Sequence, residues 1–537
     1  MSAPLTSKPR SKPFVLKPYA PEAPVGLQRI LPWIVVPLLV FICLFYGFFY
    51  ALTTPYLIPQ FSAPLAILLS LAIWALPDLR TAPTRTLDFL FFAFLISTVL
   101  WPNYLALSLP GLPWITAIRL FGFPLAFVLL ICVSVSKDFR SQTLNVMRAV
   151  PGLWQLTAAF IAINVFSVLI SDKMLESMNI FATIEVNWTV IFFASCYLFL
   201  KKGNVERWAV IMWVSAMVLC FVGVEEAREG HVPWAGHIPS FLKIEDPYVQ
   251  HVLAGAHRIG TDKYRVQGTH STSLGLAEYF ALCTPFVIHF MVGPFNRVVK
   301  VLAGLSIPFI FYTIVATDAR LGVVGFFIAC LLYLLYWGLL RWRQVRGTLM
   351  GPAVVLTYPA VFVTFMAATF FVQRLHKLVW GGSQDKYSNQ GRVDQMNMGI
   401  PKILSHPWGY GLARGGEALN YHNPAGDLTV DTYYLMIALD YGVLGFLVYY
   451  GTILLVIIYA ARFALENPPR ERERTFLAPL MISLTAFFII KSIFSQTDNH
   501  SLVYMMMGMV AALVYRMKTD PETPVTTQPT VVTPRGR

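Results

Sequence analysis

Apolar runs of about 20 residues, separated by short polar connections, recur along the whole chain, and "LPWIVVPLLVFICLFYGFFYALTT" opens the series. Each run is long enough to cross roughly 30 Å of hydrocarbon as a helix. Fourteen spans are predicted, beginning near Trp33, Ser62, Leu87, Ile118, Leu153, Thr189, Ala209, Ser273, Val301, Leu321, Ala353, Tyr433, Phe476 and Leu502. The run "NWTVIFFASCYLFL" is short and needs its left flank to span. A transmembrane barrel would instead show weakly alternating segments of about 10 residues. The fold class is therefore an all-α polytopic integral membrane protein, with two long polar connections at residues 224–272 and 372–430. Residues 33–516 form the membrane domain. Residues 1–32 are polar and proline-rich, with no removable signal peptide expected, and residues 517–537 read as a disordered tail.

Composition agrees: 56% of the chain is hydrophobic, mean hydropathy is +0.60, and 13% is charged, where soluble chains carry about 25%. The net charge of +13 does not indicate nucleic acid, because the basic residues fall in short connections between spans. With the N-terminus in the cytoplasm, residues 79–85, 136–140, 201–207, 295–300, 341–346 and 470–474 all lie inside and all carry Lys or Arg. Both termini are then cytoplasmic, and both long connections are outside. The six cysteines (Cys43, Cys132, Cys196, Cys220, Cys283, Cys330) fall mostly within apolar runs and read as small apolar filler, not metal ligands.

Candidate chemistry collects on the outer side. "YRVQGTHSTSLGLAEYF" places Arg265, Gly268, Thr269 and His270 just before a span, with Glu278 one turn into it and placed to line the same cavity. "TIVATDARLGVVGFF" puts Asp318 and Arg320 in a tight turn between two spans, where an arginine either snorkels to the interface or enters a cavity. From Gln390 to Leu404 the pattern predicts a surface helix with Val393, Met396 and Ile400 on one face and Arg392 on another. Pro401 is expected to end or bend it, and Pro407 to stop it. "GYGLARGG" follows, with Gly409 and Gly411 allowing tight turns or close backbone approach. The spacing lacks the Lys and Ser/Thr of a nucleotide loop. Asp431 stands at the mouth of the next span, as a cap or a base, with His422 as the competing base. Tyr433 and Tyr434 suit an interfacial aromatic belt. H-E-x-x-H and G-x-S-x-G are both missing from the sequence. Three arginines thus approach one membrane boundary from three segments, and guanidinium forks suit phosphate or diphosphate oxygens.

"RVQGTHSTSLGLAEYF", "DARLG", "GRVDQMNMGIPKILSHPWGYGLARGG" and "VDTYYLMIALDYGVLGF", in that order, resemble the ordered elements of the O-antigen ligase and polysaccharide polymerase family of bacterial inner membranes. The resemblance implies a metal- and cofactor-independent inverting glycosyl transfer on the periplasmic side of the inner membrane. The donor would be an undecaprenyl-diphosphate-linked glycan, and Arg265, Arg320 and Arg392 match the arginines held to grip its diphosphate. The acceptor would be a glycan or lipid-linked glycan, with membrane lipids and polysaccharide export or chain-length machinery as further partners. Ligases of the family carry His-Asn where this chain reads Asp431–Thr432, which favours polymerisation of exopolysaccharide or O-antigen repeats. Ligation to lipid A–core is one alternative and transport of a polysaccharide or lipid-linked substrate another, for which ionisable residues well inside spans or short paired broken helices would be the sign.

Overall fold

The computed structural model describes residues 69–519 except 71, 74–75, 77–78, 80, 108–113, 243–246, 258–263, 345–346, 381–385, 423–425, 427 and 467–470. The spans predicted near Trp33 and Ser62 lie outside the described residues. Each of the other twelve expected spans is matched by a helix. In chain order the first six helices are α1 (Thr84–Leu100), α2 (Ala117–Val135), α3 (Lys137–Ala149), α4 (Leu153–Leu169), α5 (Met174–Leu198) and α6 (Asn204–Glu229). Next come α7 (Pro247–Ala254), α8 (Ser273–Val292), α9 (Arg297–Ala316), α10 (Arg320–Gln344), α11 (Met350–Phe371), α12 (Gln373–Val379) and α13 (Lys386–Ser405). The last four are α14 (Gly415–Leu419), α15 (Tyr433–Glu466), α16 (Leu477–Ile490) and α17 (His500–Thr519). Ten helices among the described residues are long and apolar enough to cross a membrane, or eleven if α3 and α4, which meet at 104°, count as one bent span. The chain is a multi-pass, all-α membrane protein.

Local chemistry explains several boundaries. The Thr116, Ser136, Thr272 and Asn296 side chains each accept a hydrogen bond from a first-turn N–H of α2, α3, α8 and α9 respectively. The weak run near Thr189 spans only because its helix starts at Met174, and a π-helical turn at Glu185–Val190 lies inside it. α6 continues to Glu229, so the first long connection begins six residues later than expected.

α8 and α17 are the most enclosed spans, with α16 beside them. Without a hydrophobic drive between helices in lipid, small residues set how closely they approach. On α10, a Cβ at Gly322 would sit 2.7 Å from the Ala277 Cβ, and one at Gly325 would sit 2.7 Å from the Ala281 Cβ. This contact fixes the turn before α10 against the start of α8.

The connections with basic bias gather at one end of the bundle. Arg516 pairs with Glu471 and Glu473 at 2.5 and 2.8 Å, and Glu473 also accepts from the Gly203 N–H. Arg472 pairs with Glu206, Arg207 with Asp88, and Lys518 donates to the Ala149 carbonyl. The two long connections gather at the opposite end.

The α15 span is broken at Gly442 (φ 71°, ψ −174°). The "GYGLARGG" loop fills the break: Tyr410 and Gly411 N–H groups donate to the Leu439 and Asp440 carbonyls, and Val443 N–H donates to the Pro407 carbonyl. The buried Asp440 carboxylate accepts from the Gly415 N–H at 2.6 Å. A Cβ on Gly442 would lie 2.2 Å from the Pro407 carbonyl oxygen. Gly442→Ala is therefore expected to cost at least about 1–3 kcal/mol in backbone strain alone. Thermal unfolding in detergent should show the loss, and an unchanged transition would contradict this packing.

Candidate active site at one end of the bundle

Arg265 reaches the site from a two-residue hairpin strand. β1 (Ala256–His257) pairs antiparallel with β2 (Tyr264–Arg265). Side chains alternate along a strand, so Tyr264 and Arg265 diverge. The Tyr264 hydroxyl donates to Glu226 Oε1 at 2.7 Å, while Arg265 Nε donates to the Thr317 carbonyl at 3.2 Å. Glu226, fully buried at the end of α6, also accepts from the N–H groups of Gln267 (2.9 Å) and Gly268 (2.7 Å). Gly268 supplies the positive φ of 57° that turns the chain there, and the Thr269 hydroxyl donates to the Val99 carbonyl at 2.7 Å.

The turn between α9 and α10 carries the next two candidates. Asp318 takes φ 51°, uncommon outside glycine and tolerated best by Asp and Asn. Arg320, at the head of α10, donates to the Trp380 carbonyl (Nη1, 2.6 Å) and to Asn389 Oδ1 (Nη2, 3.2 Å). It therefore turns into protein rather than snorkelling to the interface. Arg392 Nη1 donates to the same Asn389 oxygen at 3.4 Å. Arg265 and Arg320 thus share the α9–α10 turn, and Arg320 and Arg392 share an acceptor. The three segments meet.

α13 carries Arg392. Its Gly391, Gln395 and Gly399 face inward, while Val393, Met396 and Ile400 are exposed together, as the pattern predicted. The helix does not end at Pro401 but runs through it to Ser405, and Pro407 lies beyond it. Arg392 is half-buried, and its Nε has no hydrogen-bond partner among the described residues. Burial works against its charge and lowers its pKa, and the neighbouring Asp431 carboxylate works in the opposite direction.

Asp431 is held from the backbone: its N–H donates to Gln395 Oε1 at 2.8 Å, and its carboxylate accepts from Thr429 Oγ1 at 3.4 Å. The Thr432 carbonyl takes the Met436 N–H, so Asp431 stands one residue before the helix-capping position. His422 is exposed, bridged to Leu428 across the loop, and makes no described contact with the arginines. Gly409 and Gly411 lie at the α15 break, where their positive φ values (86° and 104°) serve backbone packing against Asp440 and Ser171. Tyr433 is 1% exposed against Tyr449 and His500, so it belongs to the core rather than an aromatic belt. Glu278 lines no open cavity; it is fully buried and paired with Lys491 at 2.8 Å.

His270 is buried, with Nδ1 unpartnered among the described residues and Asn499 bonded to its ring. Burial pushes its pKa down to about 4. The fold therefore favours the neutral ring. Its contribution to stability is complete above the ordinary histidine value of about 6.5 and is lost as pH falls to about 4, roughly 3 kcal/mol in all. Melting temperatures of wild type and His270→Gln, compared from pH 7 to pH 4, should show a steeper acid loss in wild type. Parallel curves would contradict this.

Sequence reasoning missed Asn389, Gln395, Glu226 and the Lys491–Glu278 pair. The detectable signal was a lone lysine in "AFFIIKSIF" and an acidic residue at the end of the α6 run. Asn389 and Gln395 carry no sequence signal of their own.

Residues 281–450 match the family model described as O-antigen ligase. The match takes in Asp318, Arg320, Arg392, Gly409, Gly411, His422 and Asp431, and leaves Arg265 to His270 outside it. It supports an O-antigen ligase/polymerase-like family, and with it an enzyme with a glycosyl-transfer role in O-antigen or polysaccharide assembly. No curated protein matches the chain.

Proposed function

We propose, with that family as the premise, that the chain polymerises exopolysaccharide or O-antigen repeats by inverting transfer from an undecaprenyl-diphosphate-linked glycan to a sugar hydroxyl. The observation that carries this reading is the meeting of Arg265, Arg320 and Arg392 around the α9–α10 turn and Asn389, with the Asp431 charge beside Arg392. In this reading the arginines receive the donor diphosphate. The leaving group is already anionic, so it needs charge stabilisation more than protonation. The acceptor hydroxyl attacks the anomeric carbon, the bond to the phosphate oxygen breaks, and the hydroxyl proton passes to Asp431, or to His422 in its place. Gly268, Thr269, His270 and Asp318 support the arginine segments. The site faces the periplasm and both termini face the cytoplasm in this reading, which the basic connections at the opposite end support.

Extraction of lipid-linked and surface glycans from a deletion strain tests the reading. Accumulation of single lipid-linked repeats is expected. Full-length lipid-linked polymer without surface attachment would move the assignment to a ligase, and unchanged glycans would remove both.

A further inference from the structure

The segment between α16 and α17, residues 491–499, inserts beneath both arms of the site. Lys491 Nζ lies 2.8 and 3.1 Å from the two Glu278 oxygens, and both side chains are completely buried. Lys491 also donates to the Gln496 carbonyl and sits 5.3 Å over the Tyr433 ring, two residues past Asp431. Asn499 Nδ2 donates to the Gly275 carbonyl (2.9 Å) and to Glu278 Oε2 (3.2 Å). The Ser271 hydroxyl donates to Asp498 Oδ2 at 3.1 Å. The Tyr434 hydroxyl reaches back to the Phe488 carbonyl at 2.7 Å. On one side, then, these groups hold the segment that leads from Arg265 into α8. On the other they hold the start of α15 that follows Asp431.

A buried ion pair is a poor stabiliser: desolvation of both charges offsets their attraction, and two apolar side chains of similar size often do as well. What an ion pair supplies that an apolar contact does not is direction. Lys491 has one ammonium, and it is committed to a carboxylate on α8, to a carbonyl of its own turn and to the face of the first α15 aromatic.

We propose that Lys491 and Glu278 form a positioning pair, which sets the Asp431 end of α15 in register with the Arg265 segment. Neither group touches substrate. This inference rests on the proposed glycosyl transfer, since it needs Asp431 and the arginines to act on one donor. Small displacements of a reacting group are costly, on the order of 100-fold for about 1 Å.

The test separates register from folding. Lys491→Met and Glu278→Gln each leave the remaining partner charged, buried and without its counter-charge, so each is expected to lower protein yield as well as activity. The double variant Lys491→Met/Glu278→Leu removes both charges and is expected to restore yield and melting temperature. Transfer is then measured with the purified protein, an undecaprenyl-diphosphate-linked repeat and its acceptor, beside wild type. The expected result is a kcat about 10- to 100-fold below wild type with donor KM within about twofold. A wild-type kcat in the stable double variant, or a loss confined to KM, overturns the positioning role. If the double variant does not accumulate, Lys491→Arg decides: it keeps the ion pair but changes its geometry. A wild-type melting temperature with reduced kcat supports the proposal, and a wild-type kcat overturns it. Wild-type protein that transfers no sugar in the same assay counts against the glycosyl-transfer reading instead.

Discussion

Asp431→Asn is expected to slow glycan transfer by about 10²- to 10⁴-fold, the usual range for losing a positioned general base, while donor binding persists. The side chain keeps its size, and the contact that holds residue 431 uses its backbone N–H to Gln395, which the substitution leaves in place. The helix also keeps its start, because Thr432 already occupies the capping position. Asn would in any case cap nearly as well as Asp, so a cap role predicts wild-type output. Removing a carboxylate beside Arg392 leaves the site more positive and does not weaken its hold on a diphosphate. Donor binding by a labelled lipid-linked glycan and product length on a gel give the two readouts. Stable Asp431→Asn protein with full-length product at wild-type rate would strip Asp431 of its role and make His422→Ala the next variant to measure.

The arginines carry the second large effect. Arg320→Lys and Arg392→Lys, and their alanine counterparts, should each lower activity at least about 30-fold. Loss of a hydrogen-bonded charge contact in a buried site costs roughly 2–5 kcal/mol, and about 2 kcal/mol expressed in the transition state is already a factor near 30. Lysine is a poor replacement because the site uses the fork. One Arg320 guanidinium serves the Trp380 carbonyl and the Asn389 amide oxygen from different nitrogens, and Arg392 presents its buried Nε beside them. An ammonium offers a point charge without that geometry. Full activity of the lysine variants at normal protein levels would take these residues out of the site. Arg265→Lys should fall by a similar factor, because lysine has no fork to replace the guanidinium whose Nε holds the Thr317 carbonyl.

Much of this was legible in the sequence for a simple reason: lipid leaves few ways to satisfy a backbone, so an apolar run of sufficient length becomes a helix. The Arg320 turn is similar, since an arginine between two spans must find an acceptor. The α13 face carrying Val393, Met396 and Ile400 follows from 3- and 4-residue spacing. What escaped was set by distant partners. "IALDYGVLGF" reads as uninterrupted helix, and the break at Gly442 exists because loop N–H groups from Tyr410 and Gly411 satisfy the carbonyls it frees. Glu278 and Lys491 are 213 residues apart, and no local pattern joins them. Asn389 looks like any loop asparagine until Arg320 and Arg392 both turn to it. Tyr433 has the composition of an interfacial anchor but is drawn inward by His500 and Tyr449.

The most direct measurement is transfer by the purified protein in liposomes supplied with an undecaprenyl-diphosphate-linked repeat and no added metal ion or cofactor. Released undecaprenyl diphosphate should match new glycosidic bonds one for one, and both should vanish in Arg320→Ala/Arg392→Ala protein that retains the wild-type melting temperature. Equal release and bond formation by that double variant would contradict the account.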